Sequence, residues 1–150
     1  MTASAADVGQ PAPEFKIKPF NGDEFVLSAA RGQVVILHFW ATWCVPCQKE
    51  MPALDAYYRQ HRSEGLSVVA IAMDKENLAK AQTGSAGYAF VSGPAKQASF
   101  KGYGRIWRLP LTFVIDRKGI LRADGWDGNK SGIDAAALDA TVTPLLKEKP

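Results

Sequence analysis

Two unbroken apolar runs constrain this chain more than anything else in it. "QVVILHFWATW" (residues 33–43) and "LSVVAIAMD" (66–74) are rich in β-branched residues and lack polar alternation, as strands buried on both faces do. Between them, Cys47, Met51, Leu54 and Tyr58 fall at steps of four, three and four. That is one face of a helix, running to about His61 before "SEG" ends it. Strand, helix and strand in this order make a parallel pair joined by a right-handed crossover. Pro52 lies inside the helix, where it removes a hydrogen bond and crowds the preceding turn, predicting a kink.

The flanking segments extend this unit. "EFKIKPF" and "DEFVLS" alternate around "NGD" and read as a β-hairpin with a two- to three-residue connection. "KENLAKAQ" reads as a short helix, "TGSAGYAFVSGP" as a Gly-rich loop with a brief strand, and "AKQASFKGYG" as a weak helix. "LTFVIDRKGILRADGW" gives two antiparallel strands around "RKG". "GIDAAALDATVTPLLKEK" closes the chain as a helix with Asp134 near its N-terminus, shortened or bent by Pro144. The fold class is therefore α/β: a mixed central sheet with helices on both faces and an N-terminal β-hairpin extension. No repeat or linker divides the chain, so residues 8–150 read as one domain after a flexible lead-in, 1–7.

Composition excludes several functions. Of 150 residues, 47% are apolar and 22% charged, the balance of an ordinary soluble domain. A net charge of +3, from 18 basic and 15 acidic residues dispersed along the chain, gives no ground for nucleic acid or an anionic membrane surface as partner. No run approaches the roughly 18 apolar residues of a membrane span. The opening "MTASAADVGQPAPEF" has neither a basic n-region nor an apolar h-region, so an export signal or anchor is expected only outside this sequence.

Both cysteines of the chain sit in "TWCVPCQ", as Cys44 and Cys47. A disulfide closing so small a loop contributes only about 2 kcal/mol, little beside a core of this size. Zinc would need four ligands where the spacing offers two thiols, and the only histidines are His38 and His61, so no metal site is assigned. A two-thiol copper(I) site stays open. A redox pair explains more of the surroundings. Cys44 falls at a helix N-terminus, where free N–H groups and the helix dipole stabilise a thiolate. An unperturbed thiol is only about 3% ionised at neutral pH, and a pKa of about 7 makes that half. Cys47 shares the apolar face of Met51 and Leu54. Cys44 is thus the expected exposed nucleophile and Cys47 the shielded resolving thiol, exchange passing through a mixed disulfide on Cys44. Pro46 offers no N–H to the sulfurs and would help set the potential. The electrons reside on sulfur, so no cofactor is expected.

"FWATWCVPC", the later Pro52 and "LPLTFVID" resemble the thioredoxin superfamily, and within it the TlpA/ResA-like thiol–disulfide oxidoreductases of the bacterial extracytoplasmic space. Residues from about 8 to 147 follow that group's order. The resemblance implies a thioredoxin-like fold and a reactive pair at Cys44 and Cys47. It also implies a cis-proline at Pro110, with the backbone of Leu109 offered to an extended substrate and Trp43 flanking the thiol as a docking surface. His38 stands where thioredoxins carry a buried carboxylate that moves the resolving cysteine's proton. A histidine whose pKa is lowered by burial could do the same, and a core histidine bonded to backbone is the alternative. His61, among Arg59, Gln60 and Arg62, reads as a surface residue.

The implied partners are protein thiols or disulfides, such as apocytochrome c or copper-site assembly factors, together with an upstream electron donor. The implied setting is periplasmic or membrane-anchored, and the implied state a monomer. Two departures stand out: "YGRIWRLPL" is about one residue longer than the usual approach to the cis-proline, and Leu111 follows it where threonine is common. Rival functions are a copper(I) chaperone using both thiolates and a thiol peroxidase, though "TWC" supplies no Thr-x-x-Cys. A peptide-binding adaptor is a third.

Overall fold

In the computed structural model, which describes residues 7–126 and 133–150, β1 (Lys16–Ile17) and β2 (Phe25–Val26) come first. Next, β3 (Val34–Trp40) leads into α1 (Val45–His61) and returns as β4 (Leu66–Ala72). Then follow α2 (Leu78–Ser85), β5 (Val91–Pro94), β6 (Ala98–Ser99), the hairpin of β7 (Leu111–Ile115) and β8 (Leu121–Ala123), α3 (Ala135–Thr141) and α4 (Thr143–Leu146). The larger sheet has the order β5-β4-β3-β7-β8. β3 pairs parallel with β4, and β4 with β5, whereas β7 runs antiparallel to β3 and β8 to β7. This is the expected mixed sheet flanked by helices. The predicted lead-in falls mostly outside the described residues, as does Gly132 at the start of the predicted terminal helix.

Several boundaries follow local chemistry. α1 ends at His61 as its apolar periodicity predicts, and the chain turns into β4 through Gly65 at φ +91°. The helix runs through Pro52 as one element. The oxygen of Asp134 caps the N–H of Ala137, opening α3. Pro144 lies in the first turn of α4, where a missing N–H is harmless, so the terminal helix divides there.

Other segments depart from the sequence pattern because tertiary pairing overrides weak local preference. The link between β1 and β2 spans residues 18–24 rather than a tight "NGD" turn. Lys18 N–H donates to Gln97 O and Phe20 N–H to Ser92 O, so the chain after β1 is recruited against β5 and its neighbours instead of reversing. The predicted helix "AKQASFKGYG" is absent. Ala98–Ser99 pairs with β1, completing a small sheet of order β2-β1-β6 between two 3-10 turns. Gly93 makes this packing possible, since a Cβ there would lie 2.8 Å from Pro19 Cα.

Side chains of β3 alternate between two clusters. Val34, Ile36 and Trp40 join Cys44, Cys47, Met51, Leu54, Leu138, Val142 and Leu145. Val35, Leu37 and Phe39 join Phe15, Ile17, Tyr103, Leu111 and Phe113. All buried apolar side chains of the α-helices belong to the first cluster. The second face is covered by β1 and 3-10 turns, so α-helices on both faces are not what the sheet carries.

Candidate active site

β3 ends at Trp40, three residues earlier than its apolar run suggests. There the Met73 N–H donates to Trp40 O, and a turn closed by Cys44 N–H on Ala41 O delivers the chain to α1. Cys44 is the N-cap of that helix, and its Sγ accepts the N–H of Cys47 at 3.2 Å. The two residues form a disulfide with Cα atoms 5.3 Å apart. Pro46 occupies the opening turn, where its ring presets a helical φ.

Exposure differs from expectation. Cys44 is only 5% exposed and Cys47 fully buried, so the predicted inequality survives in sign but not in size. Sγ of Cys44 is turned into the helix start by its two bonds, to Cys47 Sγ and from Cys47 N–H. Solvent instead meets the neighbours: Trp43 is 68% exposed and Val45 63%. The disulfide itself is buried in the core cluster, with these two apolar residues exposed beside it.

The turn is fastened from beneath by residues that no sequence signal singles out. Asp74, at the end of β4 and itself buried, accepts Thr42 N–H at 3.1 Å and the Thr42 hydroxyl at 2.5 Å. Gln48 Nε2 reaches Thr42 O. The only hint in the sequence was an acid directly after a buried strand. Glu50, one turn beyond Cys47, accepts the N–H of Ile133, and partial burial raises its carboxyl above the ordinary range. A groove of about 360 Å³ lined by Trp43, Met73, Asp74, Lys75 and Glu76 borders the pair on this side.

The sheet register brings in the other side. Phe39 lies opposite Leu111, so the start of β7 emerges beside the end of β3 and carries Leu109 and Pro110 to the disulfide's end of the sheet. The Leu109–Pro110 peptide is cis. His38 sits in β3 on the face of Ile36 and Trp40, the face that holds Cys47. It is fully buried, shares a 2.9 Å hydrogen bond between Nδ1 and Thr112 Oγ1, and among the described residues has no partner at Nε2. Burial lowers its pKa to about 4, so the ring is neutral at physiological pH. His61 is bonded to Glu64 near the end of α1, away from this cluster.

Of the residues singled out in the sequence, the fold brings Cys44, Cys47, Trp43, Leu109 and Pro110 to one end of the sheet and buries His38 on the face that holds Cys47. Sequence reading did not find Thr42, Asp74 or Glu50. Chemically, the arrangement can hold a thiolate at a helix N-terminus, return it to disulfide with an adjacent thiol, and keep a neutral imidazole on the same buried face.

Residues 8–124 match the AhpC/TSA family. Thiol-disulfide oxidoreductase ResA of Bacillus thuringiensis (strain Al Hakam) is 32% identical over 113 residues, 75% of this chain and 65% of that protein. Thioredoxin-like protein YneN of Bacillus subtilis (strain 168) is 33% identical over 118 residues, covering 76% of this chain and 68% of its own length. The chain therefore spans about two thirds of the relatives it matches. Among solved structures, a thiol:disulfide interchange protein of the thioredoxin family from Chlorobium tepidum TLS is similar, with a TM-score of 0.76 and 27% identity over 94% of this chain and 98% of that one. Fold, pair and alignment agree: the chain belongs to the AhpC/TSA family and is a thioredoxin-like relative of the ResA proteins.

Proposed function

We propose that this protein exchanges dithiol for disulfide with other proteins and works as an extracytoplasmic reductant; its ResA relatives are named thiol-disulfide oxidoreductases. The observation that carries the reading is Cys44 at the N-cap of α1, its sulfur receiving the Cys47 N–H and its bond partner one turn away. In the reduced protein, Cys44 thiolate attacks one sulfur of a partner disulfide. A mixed disulfide forms and the other partner sulfur leaves as a thiolate that takes a proton. Cys47, deprotonated, then attacks Cys44 Sγ, closing the protein disulfide and releasing the second partner thiol. An upstream donor returns the two electrons.

The remaining residues have supporting roles. His38, neutral and with Nε2 unpartnered among the described residues, lies on the face that holds Cys47 and serves as a relay on the path of the Cys47 proton, passing it on rather than keeping it. Pro46 keeps one N–H away from the sulfurs, and Leu109 and Pro110 present backbone to an extended partner segment. Trp43 adds apolar area beside the pair. Among the described residues no helix is long and apolar enough to cross a membrane, and attachment to one would come from elsewhere.

Equilibration of the pair against a glutathione series tests this reading. A potential below about −220 mV supports a reductant. One near −120 mV would make the protein an oxidant, and failure to equilibrate with any thiol would end the exchange reading.

A further inference from the structure

From residue 77 to residue 115 the chain carries no aspartate or glutamate, yet it holds Lys80, Lys96, Lys101, Arg105 and Arg108. A near-neutral whole-chain balance conceals this run. Its last part leads into the start of β7, beside the disulfide. Trp107 is 72% exposed and stacks on Trp126, with ring centroids 5.6 Å apart and planes within 22°. The Arg108 guanidinium lies 5.7 Å and 5.3 Å from the two ring centroids. It is steadied by one bond, from Nη2 to Gly125 O, and its Nε has no partner among the described residues. Trp126 is fixed in turn by Nε1 donating to Tyr103 O. Gly125 lets this layer close on β7, since a Cβ there would meet Thr112 O at 2.7 Å.

Three observations point the same way. Ion pairs among the described residues engage Arg59, His61 and Arg122, and leave Lys101, Arg105 and Arg108 without a carboxylate. An exposed, pre-stacked indole is costly to leave in water and offers a flat platform held in place before binding. The cluster ends two residues before Pro110, so whatever rests on it is next to whatever reacts at Cys44.

We propose that the Trp107–Arg108–Trp126 cluster, with Arg105 and Lys101, is the specificity surface of this protein. It receives an acidic segment next to the target disulfide of a protein partner. An aspartate or glutamate pairs with the guanidinium edge while the partner backbone lies over Trp107. This rests on the exchange reading above and adds the substrate class.

The test uses the dithiol form of the full chain and three disulfide-bonded peptides of one sequence, flanked by aspartates, asparagines or lysines. The neutral disulfide of 2-mercaptoethanol is the reference. At low ionic strength the acid-flanked peptide should oxidise the protein roughly tenfold faster than the lysine-flanked one, and the ratio should shrink with added salt. Arg108→Gln, and separately the exposed pair Lys101→Gln with Arg105→Gln, should each reduce that ratio. Lys118→Gln, in the β7–β8 turn, should leave it unchanged. Equal or inverted rates for the three peptides, with normal reaction toward the neutral reagent, would overturn the surface while leaving the exchange reading intact. No reaction with any of the four disulfides would overturn the exchange reading and the surface with it.

Discussion

The two faces of the central sheet are equally dry and do different work. One holds Cys44, Cys47 and His38 among aliphatic side chains of α1, α3 and α4. The other is an aromatic stack in which Phe113 meets Phe39 at 6.1 Å and Tyr103 at 5.0 Å between ring centroids. The sulfurs and the buried imidazole lie on the helix-covered face, where a helix N-terminus can stabilise charge on sulfur. The aromatic face contributes stability and anchors the approach to β7, through Tyr103 and its bond from Trp126.

The largest effect should separate the faces completely. Cys44→Ser should abolish disulfide exchange while leaving the urea midpoint of the reduced protein within a few tenths of a molar of the parent. Cys47→Ser should instead accumulate a mixed disulfide, visible as a mass adduct. If Cys47→Ser turned over normally, the division of labour between the sulfurs would be wrong.

On the aromatic face, Phe113→Ala should cost about 3–5 kcal/mol in chemical denaturation, the range for emptying a buried aromatic site. Because the sulfurs lie across the sheet, the redox potential of the surviving folded fraction should stay at the parent value. A large shift in potential would show that the faces are coupled.

His38 links stability to pH. Its pKa is about 4 in the folded chain against an ordinary 6.5, so the unfolded chain binds more protons between these values. The stability attached to the neutral ring is present above pH 6.5 and is lost as pH falls toward 4, about 3 kcal/mol in all. Urea midpoints of parent and His38→Asn, compared between pH 7 and 4.5, should diverge by this slope. Parallel curves would mean the ring is not held neutral. Rates of disulfide reduction by the same pair across pH separate a proton-transfer role from a merely structural one.

The smallest effect belongs to Tyr103, whose hydroxyl donates to Pro13 O at 2.5 Å and ties the N-terminal segment to the aromatic stack. Tyr103→Phe should lose about 1 kcal/mol, as expected for one hydrogen bond, with exchange rates unaltered.

What could be read from the sequence follows the length of the contacts involved. β3, α1 and β4 declare themselves through periodicity, and the β7–β8 turn through "RKG", because each depends on neighbours in sequence. Ala98–Ser99 could not be read, because its pairing partner is Lys16–Ile17 at the far end of the chain. Asp74 was invisible for the same reason: its role is set by Thr42, across two strands. Cys44 stands at the helix N-terminus as its pattern predicts, but its burial depends on how the first turn of α1 folds over it. Nothing in the local pattern of Trp107 and Arg108 announces the cluster they form, because its other member, Trp126, lies beyond the β7–β8 hairpin.

Everything in this account turns on the inequality of the two thiols. Timed alkylation of the fully reduced protein across pH, read residue by residue by mass spectrometry, measures it directly. Cys44 should be modified first, with a midpoint below the ordinary thiol value of about 8.5, and Cys47 should stay protected until denaturant is added. Equal modification of both, or earlier modification of Cys47, would contradict it.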